Sequence, residues 1–503
     1  MTEENPGPIK LSNIKTNLEF LASDELMGRE AATEGEKLAA LFISTELKKY
    51  GVETYPGTDS YLQPFDVSVI SPDTTSTISV TSAGGVQSDL IYGRDFLIHP
   101  AVSFTSSFTA PLQFAGYGID APEFGYNDFE YINTEGKVLL VLAGEPFSED
   151  SLFFNGHNDT RYSSASAKLR TALKYGAKGV IIIPDSRLNT YWSRFKNYLS
   201  GRSVSLPDSE STLNGDGIVI YLSKNSADDL LKDYGWNSDS LFSLSTSDLP
   251  QLKIEDYISF NCSVNREIRQ SYNIIGVISG NDPELKDQYV AVSAHYDHLG
   301  KRDDKIYNGA DDDASGTAAV LEIARAFSEL RNNRRSVLVI FHSAEEKGLL
   351  GSRYLTNNLE VLENFSALIN IDMVGRESID SIYSVGSGNI SSELKEIVER
   401  VNEQTVKFNF NYRFDENDDP YRIYYRSDHY NYAKHGVPIV FFYDFMMDDY
   451  HKETDTADKI NFEKIRKTSL LVYNIISEIA NRDNKLIADK NQIDKKQIRI
   501  ETR

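Results

Sequence analysis

An α/β fold is expected from this sequence on three observations. Four short apolar runs rich in Val, Ile and Phe (YVAVSA at 289–294, SVLVIF at 336–341, ALIN at 367–370 and PIVFFY at 438–443) have the length and composition of buried strands. Between the first two, Val320, Ile323, Ala324, Phe327 and Leu330 recur at helical spacing. Just beyond the runs stand side chains able to hold a metal or move a proton: His295, Glu345 and Glu346, Asp372, and later His451. Ligand sites of open α/β sheets lie beyond the carboxyl ends of strands, where these residues fall.

Taken in order, residues 1–13 read as a loose arm and 14–50 as two helices. The second opens on Thr33-x-x-Glu36, a capping-box pattern, carries Leu38, Leu41, Phe42 and Leu47, and stops at Gly51. The pair is expected to cover the sheet, and no chemistry is assigned to it. Alternation through FDVSVI announces strand sequence from residue 61. Between 88 and 255 the character changes to short β-like runs (PLQFAGYGI, KVLLVLAG, GVIIIP, GIVIYLS), with Gly/Asn/Asp turns and two helical pieces. YNIIGVISG returns to the first kind of strand, and the chemistry-bearing half extends to about 485. The boundaries expected are therefore 1–87, 88–255, 256–485 and a charged tail, 486–503.

At 503 residues the chain exceeds one ordinary core. Its net charge of −23 argues against nucleic-acid binding, which needs a basic surface. Cys262 is the only cysteine, so neither an intrachain disulfide nor a cysteine-rich zinc site can form. No run reaches membrane-spanning length, and MTEENPGPIK lacks an apolar signal core. Two locations stay open: cytoplasmic, or periplasmic or secreted with a leader absent from this chain.

One acidic residue alone is a cap or a solvated charge. Three carboxylates and two imidazoles on one rim repel one another or stay desolvated unless cations hold them, which points to a two-metal centre. Around them stand His295-x-Asp297, Gly309-Ala-Asp-Asp312-Asp313-Ala-Ser-Gly316, Ala344-Glu345-Glu346, Ile371-Asp372-Met373, Ser427-Asp428-His429 and Tyr450-His451 followed by Asp455-Thr456. With these elements the chain resembles the zinc aminopeptidases of the bacterial leucyl aminopeptidase type. Glutamate carboxypeptidase, transferrin receptor and glutaminyl cyclase are relatives of that family.

The resemblance implies a mixed sheet flanked by helices and a dinuclear zinc aminopeptidase that removes N-terminal residues from peptides, with Co2+ or Mn2+ also admissible. It casts Asp312 as the bridge between two metals, His295 and Asp372 as ligands of one, and Glu346 and His451 as ligands of the other. Glu345 is then the general base acting on a water shared by the metals. Asp297 fixes the tautomer of His295, Asp313 supports the loop behind the bridge, and Tyr424 or Tyr450 bonds the developing oxyanion. His298 and His342 are expected to satisfy local hydrogen bonds, and Arg422 or Arg426 to meet a substrate carboxylate. GYGIDAPEFGYNDF and GKVLLVL resemble the protease-associated domain inserted in such peptidases, as a lid or as a spacer; His157 in that stretch is expected to be a solvated turn residue, with a place facing the cleft as the alternative. Relatives carrying such an insert are commonly exported, which favours a periplasmic or secreted location. A carboxypeptidase, a glutaminyl cyclase and a non-catalytic binding homologue are the alternatives, and the oligomeric state is left undetermined.

Overall fold

The computed structural model describes residues 7–99, 106–150, 152–156, 159–207, 217–302, 304–376, 378–416, 419–445 and 448–490, so His157 and most of the tail lie outside the described residues. The chain forms two compact units: Met1–Val67 with Arg269–Arg503, and Ser68–Ile268.

The first unit is a mixed sheet flanked by helices. The elements that matter here are helices α1 (Leu11–Leu21) and α2 (Glu34–Tyr50), strand β1 (Val264–Ile278) entering from the chain's return, β2 (Tyr289–His295), α3 (Ala314–Leu330), β3 (Ser336–His342), β4 (Phe365–Asp372), β5 (Ser381–Val385), β6 (Ile439–Tyr443) and α4 (Phe462–Asn481). The sheet order is β1-β3-β2-β4-β6-β5. The four apolar runs are the four central strands, and all are parallel: β2 pairs with β3 and β4, and β4 with β6. The flanking strands β1 and β5 run antiparallel to β3 and β6. Parallel order brings the carboxyl ends of β2, β3, β4 and β6 to one edge.

Alternation along each strand builds a core on both faces of the sheet. Val290, Val292, Val337, Val339 and Phe341 face a layer that includes Ile14, Leu18, Ile43, Ile323, Phe327 and Leu471, from α1, α2, α3 and α4. Ala291, Leu338, Ile340 and Leu368 face the opposite way, toward Leu355, Phe365 and Tyr432. Helix α2 is capped by Thr33 Oγ1, which accepts from Glu36 N, and ends at Gly51 with φ +72°, its N–H reaching the Leu47 and Lys48 carbonyls. Its buried face matches the expected one in part, with Leu47 buried and Phe42 packed against the core. Ala39, Ala40, Ile43 and Leu47 point inward, whereas Leu38 and Leu41 are exposed. The small residues let α2 lie close against its neighbours, so the larger leucines take the outside. Leu330, at the last position of α3, is likewise exposed rather than part of its buried stripe.

The second unit has an eight-stranded sheet whose central strands Ser106–Phe114, Val138–Leu142, Gly179–Ile183 and Ile218–Leu222 are parallel neighbours. The boundaries drawn from composition at 88 and 255 fall inside it. Strand Thr77–Thr81 pairs with Tyr257–Cys262, Ile78 opposite Phe260, so both flanks of the compositionally distinct stretch belong to this sheet. Among the described residues no helix is long and apolar enough to cross a membrane.

Candidate metal centre

Each strand end delivers its side chain through a sharp turn. His295 is the last residue of β2 and Asp372 the last of β4. Met373 after Asp372, Ala344 before Glu345, and His451 itself have left-handed φ values of 54°, 55° and 56°. Such conformations in non-glycine residues persist where the surroundings over-determine them, commonly at functional sites. Asp312 precedes α3 and is followed by a cis peptide to Asp313. Gly309 has φ +58°, and a Cβ there would lie 2.2 Å from the Asp312 carbonyl oxygen and 2.5 Å from the His298 ring, so only glycine lets this loop fold.

These turns gather the expected residues. His295 Nε2 lies 3.3 Å from Asp312 Oδ1 and 3.5 Å from Asp372 Oδ1. His451 Nε2 lies 3.3 Å from Asp312 Oδ2 and 3.1 Å from Glu346 Oε2. Asp312 thus offers one oxygen to each of two donor groups. Four ligands about 2.0–2.1 Å from a tetrahedral cation stand roughly 3.3 Å apart, which these separations match. The donors suit a divalent metal ion.

The electrostatics fit the same reading. Burial opposes ionisation of Asp312, yet His298, His295 and His451 around it hold its carboxyl well below the ordinary range. Burial and Asp312 work against ionisation of Glu346 too, but His451 and His298 bring it to about 2. In turn, burial disfavours the cationic form of His451, but Glu346 and Asp312 raise it to about 10.

Glu345 lies beside the first donor group, one oxygen 4.0 Å from His295 Nε2. Burial pushes its carboxyl up; His295 opposes this, while Glu346, Asp428 and Asp372 add to it. Ser427 Oγ donates to Asp372 Oδ2 at 2.7 Å and accepts from Asn370, fixing that carboxylate. Asp455 accepts the backbone N–H groups of Asp311 and Asp312 and is paired with Arg376 at 2.7 Å. Asp313 accepts from the N–H groups of Gly316 and Met373, tying the start of α3 to the end of β4.

Three expectations meet a different arrangement. The His295 Nδ1 partner is the main-chain carbonyl of Asp297 at 3.1 Å; the Asp297 carboxylate is 3.7 Å away and accepts the Glu345 N–H. Tyr424 is absent from the cavity lining formed by His295, Asp312, Glu345, Asp372 and their neighbours. It sits in the turn Ile423–Tyr425, where Ile423 faces the cavity while the Tyr424 ring packs near Gly386 and Tyr430. Tyr450 does line the cavity, stacked on His451 at 3.8 Å, with its hydroxyl 3.2 Å from Arg426 Nη2. Finally, His342 has the local bond expected, to the Tyr432 hydroxyl at 3.2 Å, but His298 has none. The fully buried His298 instead places Nδ1 2.8 Å from Glu346 Oε1. Tyr443, missed in sequence as one of 29 tyrosines, lines the cavity with Met373, Ile423 and Phe441. Its place at the carboxyl end of a parallel strand was the available signal.

Residues 273–476 match the model of Peptidase family M28. Aminopeptidase YwaD of Bacillus subtilis is 26% identical over 383 residues, covering 73% of this chain and 65% of that protein. A probable leucine aminopeptidase 1 of Trichophyton verrucosum is 25% identical over 227 residues, covering 42% of this chain and 58% of its own length. Both curated relatives are thus matched over less than two thirds of their length. Among solved structures, the aminopeptidase from Aneurinibacillus sp. strain AM-1 superposes with a TM-score of 0.62 at 20% identity, covering 96% of this chain and 97% of that one. The zinc aminopeptidase BSAP from Bacillus subtilis has a TM-score of 0.56, also at 20% identity, over 95% of this chain and 98% of its own. The match across residues 273–476 makes that stretch similar to Peptidase family M28, and the solved structures share its fold.

Proposed function

We propose that the protein is a dinuclear zinc aminopeptidase that hydrolyses N-terminal residues from peptides. The observation that carries this reading is the pair of donor groups sharing Asp312, with each imidazole–carboxylate separation between 3.1 and 3.5 Å. In this reading His295, Asp312 and Asp372 hold one cation, and Asp312, Glu346 and His451 the other. Zinc suits the imidazole and carboxylate donors, and Co2+ or Mn2+ can replace it. When bound, the cations lower the pKa of a water and polarise the scissile carbonyl.

The remaining work belongs to the chain. Glu345 stands clear of direct ligation, and its carboxylate takes the proton of the attacking water and gives it to the leaving amine. Asp297 holds the Glu345 backbone through the N–H bond at 3.1 Å, which sets the direction of that side chain. The Tyr450 hydroxyl, polarised by Arg426, is placed to donate to the oxyanion. Met373, Ile423, Phe441 and Tyr443 give the cavity an apolar wall suited to an apolar N-terminal side chain. In the same reading the unit Ser68–Ile268 is the inserted protease-associated domain, supported by GYGIDAPEFGYNDF and GKVLLVL. The exported location that such inserts accompany goes with it.

Zinc-loaded protein is expected to release leucine from leucyl amides and peptides, to leave N-acetylated versions intact, and to lose turnover on dialysis against a chelator. Cleavage of blocked peptides from the carboxyl end would favour a carboxypeptidase, and loss of ammonia from N-terminal glutamine a cyclase. Tight binding of a dipeptide panel without hydrolysis would favour the binding homologue.

A further inference from the structure

The segment between α1 and α2 carries no side chain of the proposed centre, yet it touches three of the loops that do. Arg29 is fully buried. Its guanidinium donates to the carbonyl of Tyr296 at 2.7 Å, of Asn308 at 2.6 Å, of Gly309 at 3.0 Å, and of Leu21. Tyr296 follows His295, and Asn308 and Gly309 open the loop that presents Asp312. One planar fork therefore joins the His295 loop to the Asp312 loop and anchors both to the end of α1. The backbone adds a further contact, His298 N–H donating to the Arg29 carbonyl at 3.3 Å.

Glu36 reaches the third loop. Its buried carboxylate accepts from Ser343 Oγ at 2.6 Å, Ser271 Oγ at 2.5 Å, Tyr296 Oη at 3.2 Å and the N–H of Ala32 at 2.6 Å. Ser343 begins the turn Ser343-Ala344-Glu345-Glu346. In a capping box this glutamate would bond the backbone of Thr33; here it bonds Ala32 and spends its other oxygen on the site loops.

The local backbone fits a dedicated device. Met27, Arg29 and Ala32 have left-handed φ values of 50°, 51° and 58°, three non-glycine residues within six positions. Gly28, at φ +70°, lies where a Cβ would meet the Tyr307 and Gly300 carbonyl oxygens at 2.3 and 2.6 Å. Burial lowers Arg29 to about 10 against Asp297, Asp312, Asp313 and Asp455, so it stays cationic at neutral pH.

We propose that residues 24–36 form a brace for the metal centre, in which Arg29 and Glu36 are positioning residues that hold the His295, Asp312 and Glu345–Glu346 loops at the spacing the cations need. The inference rests on the two-cation reading above and adds to it.

Charge and geometry make opposite forecasts, which allows a decisive test. A cation beside a metal site weakens metal binding, so if charge were all, Arg29→Met would bind zinc more tightly and Arg29→Lys would be unchanged. If the fork matters, both variants lose, because an ammonium cannot span four carbonyls in that geometry. The experiment is an equilibrium titration of zinc into the metal-free full chain against a chromogenic chelator, with the melting temperature of each metal-free variant recorded. Zinc affinity lowered about 10–100-fold in both Arg29 variants at a temperature where they remain folded is the expected result. An affinity within threefold of the parent in Arg29→Lys, or tighter binding in Arg29→Met, would overturn the brace. A purely folding role would lower the melting temperature and leave the affinity of the folded chain unchanged. Ser343→Ala removes one hydroxyl and keeps the test open should both Arg29 variants fail to fold: several-fold weaker zinc binding supports the brace, and an unchanged affinity refutes it. The parent titration separates the two readings, since a parent that takes up no zinc refutes the metal centre itself.

Discussion

Glu345→Gln is expected to keep the metal content of the parent and to lower kcat about a thousandfold, with KM little changed. Glutamine has the same shape and leaves the Glu345 N–H on Asp297 at 3.1 Å, so the loop and its neighbour Glu346 stay in place. What it lacks is a site for the proton. General-base assistance contributes typically about 10²–10⁴-fold, and a thousandfold corresponds to about 4 kcal/mol of barrier. The carboxylate is otherwise well suited to this work. It is nearly buried and close to Glu346, Asp428 and Asp372, all of which raise its affinity for a proton. Steady-state kinetics with metal analysis on the same sample checks this. A variant that retains a tenth or more of parental kcat would remove Glu345 from the role of base.

Asp312→Asn should be more severe, with both cations lost and activity down by about 10⁴-fold or to background. The Asp312 oxygens lie 3.3 Å from His295 Nε2 and 3.3 Å from His451 Nε2, one oxygen to each side. A carboxamide keeps one acceptor and turns N–H donors toward the other position, where a cation cannot be held. The backbone does not compensate, because Asp455 already fixes the Asp311 and Asp312 N–H groups and continues to do so in the variant. Metal analysis after gel filtration reads the outcome. Two zinc ions per chain in Asp312→Asn would show that the shared carboxylate is not needed to hold the pair.

Much of the site was legible because its parts stand at the ends of strands. Parallel strands read as continuous Val/Ile/Phe runs, and the residue after such a run is fixed in space by the sheet. His295 and Asp372 could thus be placed from sequence alone, and the structure gathers them with Asp312, Glu346 and His451. Side-chain direction within irregular turns was less accessible. Nothing in RFDENDDPYRIYYR tells that Ile423 faces the cavity while Tyr424 turns toward Gly386 and Tyr430. Nor does the His295-x-Asp297 spacing reveal that a carbonyl, not the carboxylate, meets Nδ1. The largest omission concerned the N-terminal helices, read as mere packing. Arg29 bonds Gly309 across 280 positions, and Glu36 bonds Ser343 across 307, pairings that no local pattern encodes. The buried face of α2 was misassigned in part, for a related reason. Hydrophobic size suggests Leu38 and Leu41, but close helix packing selects Ala39 and Ala40.

The central claim, a cation pair sharing Asp312, is tested most directly by anomalous diffraction at the zinc edge from crystals of the zinc-loaded full chain. Two peaks roughly 3.5–4 Å apart are expected, one beside His295 and Asp372 and the other beside Glu346 and His451, with Asp312 between them. A single peak, or a second one lying away from Asp312, would contradict it.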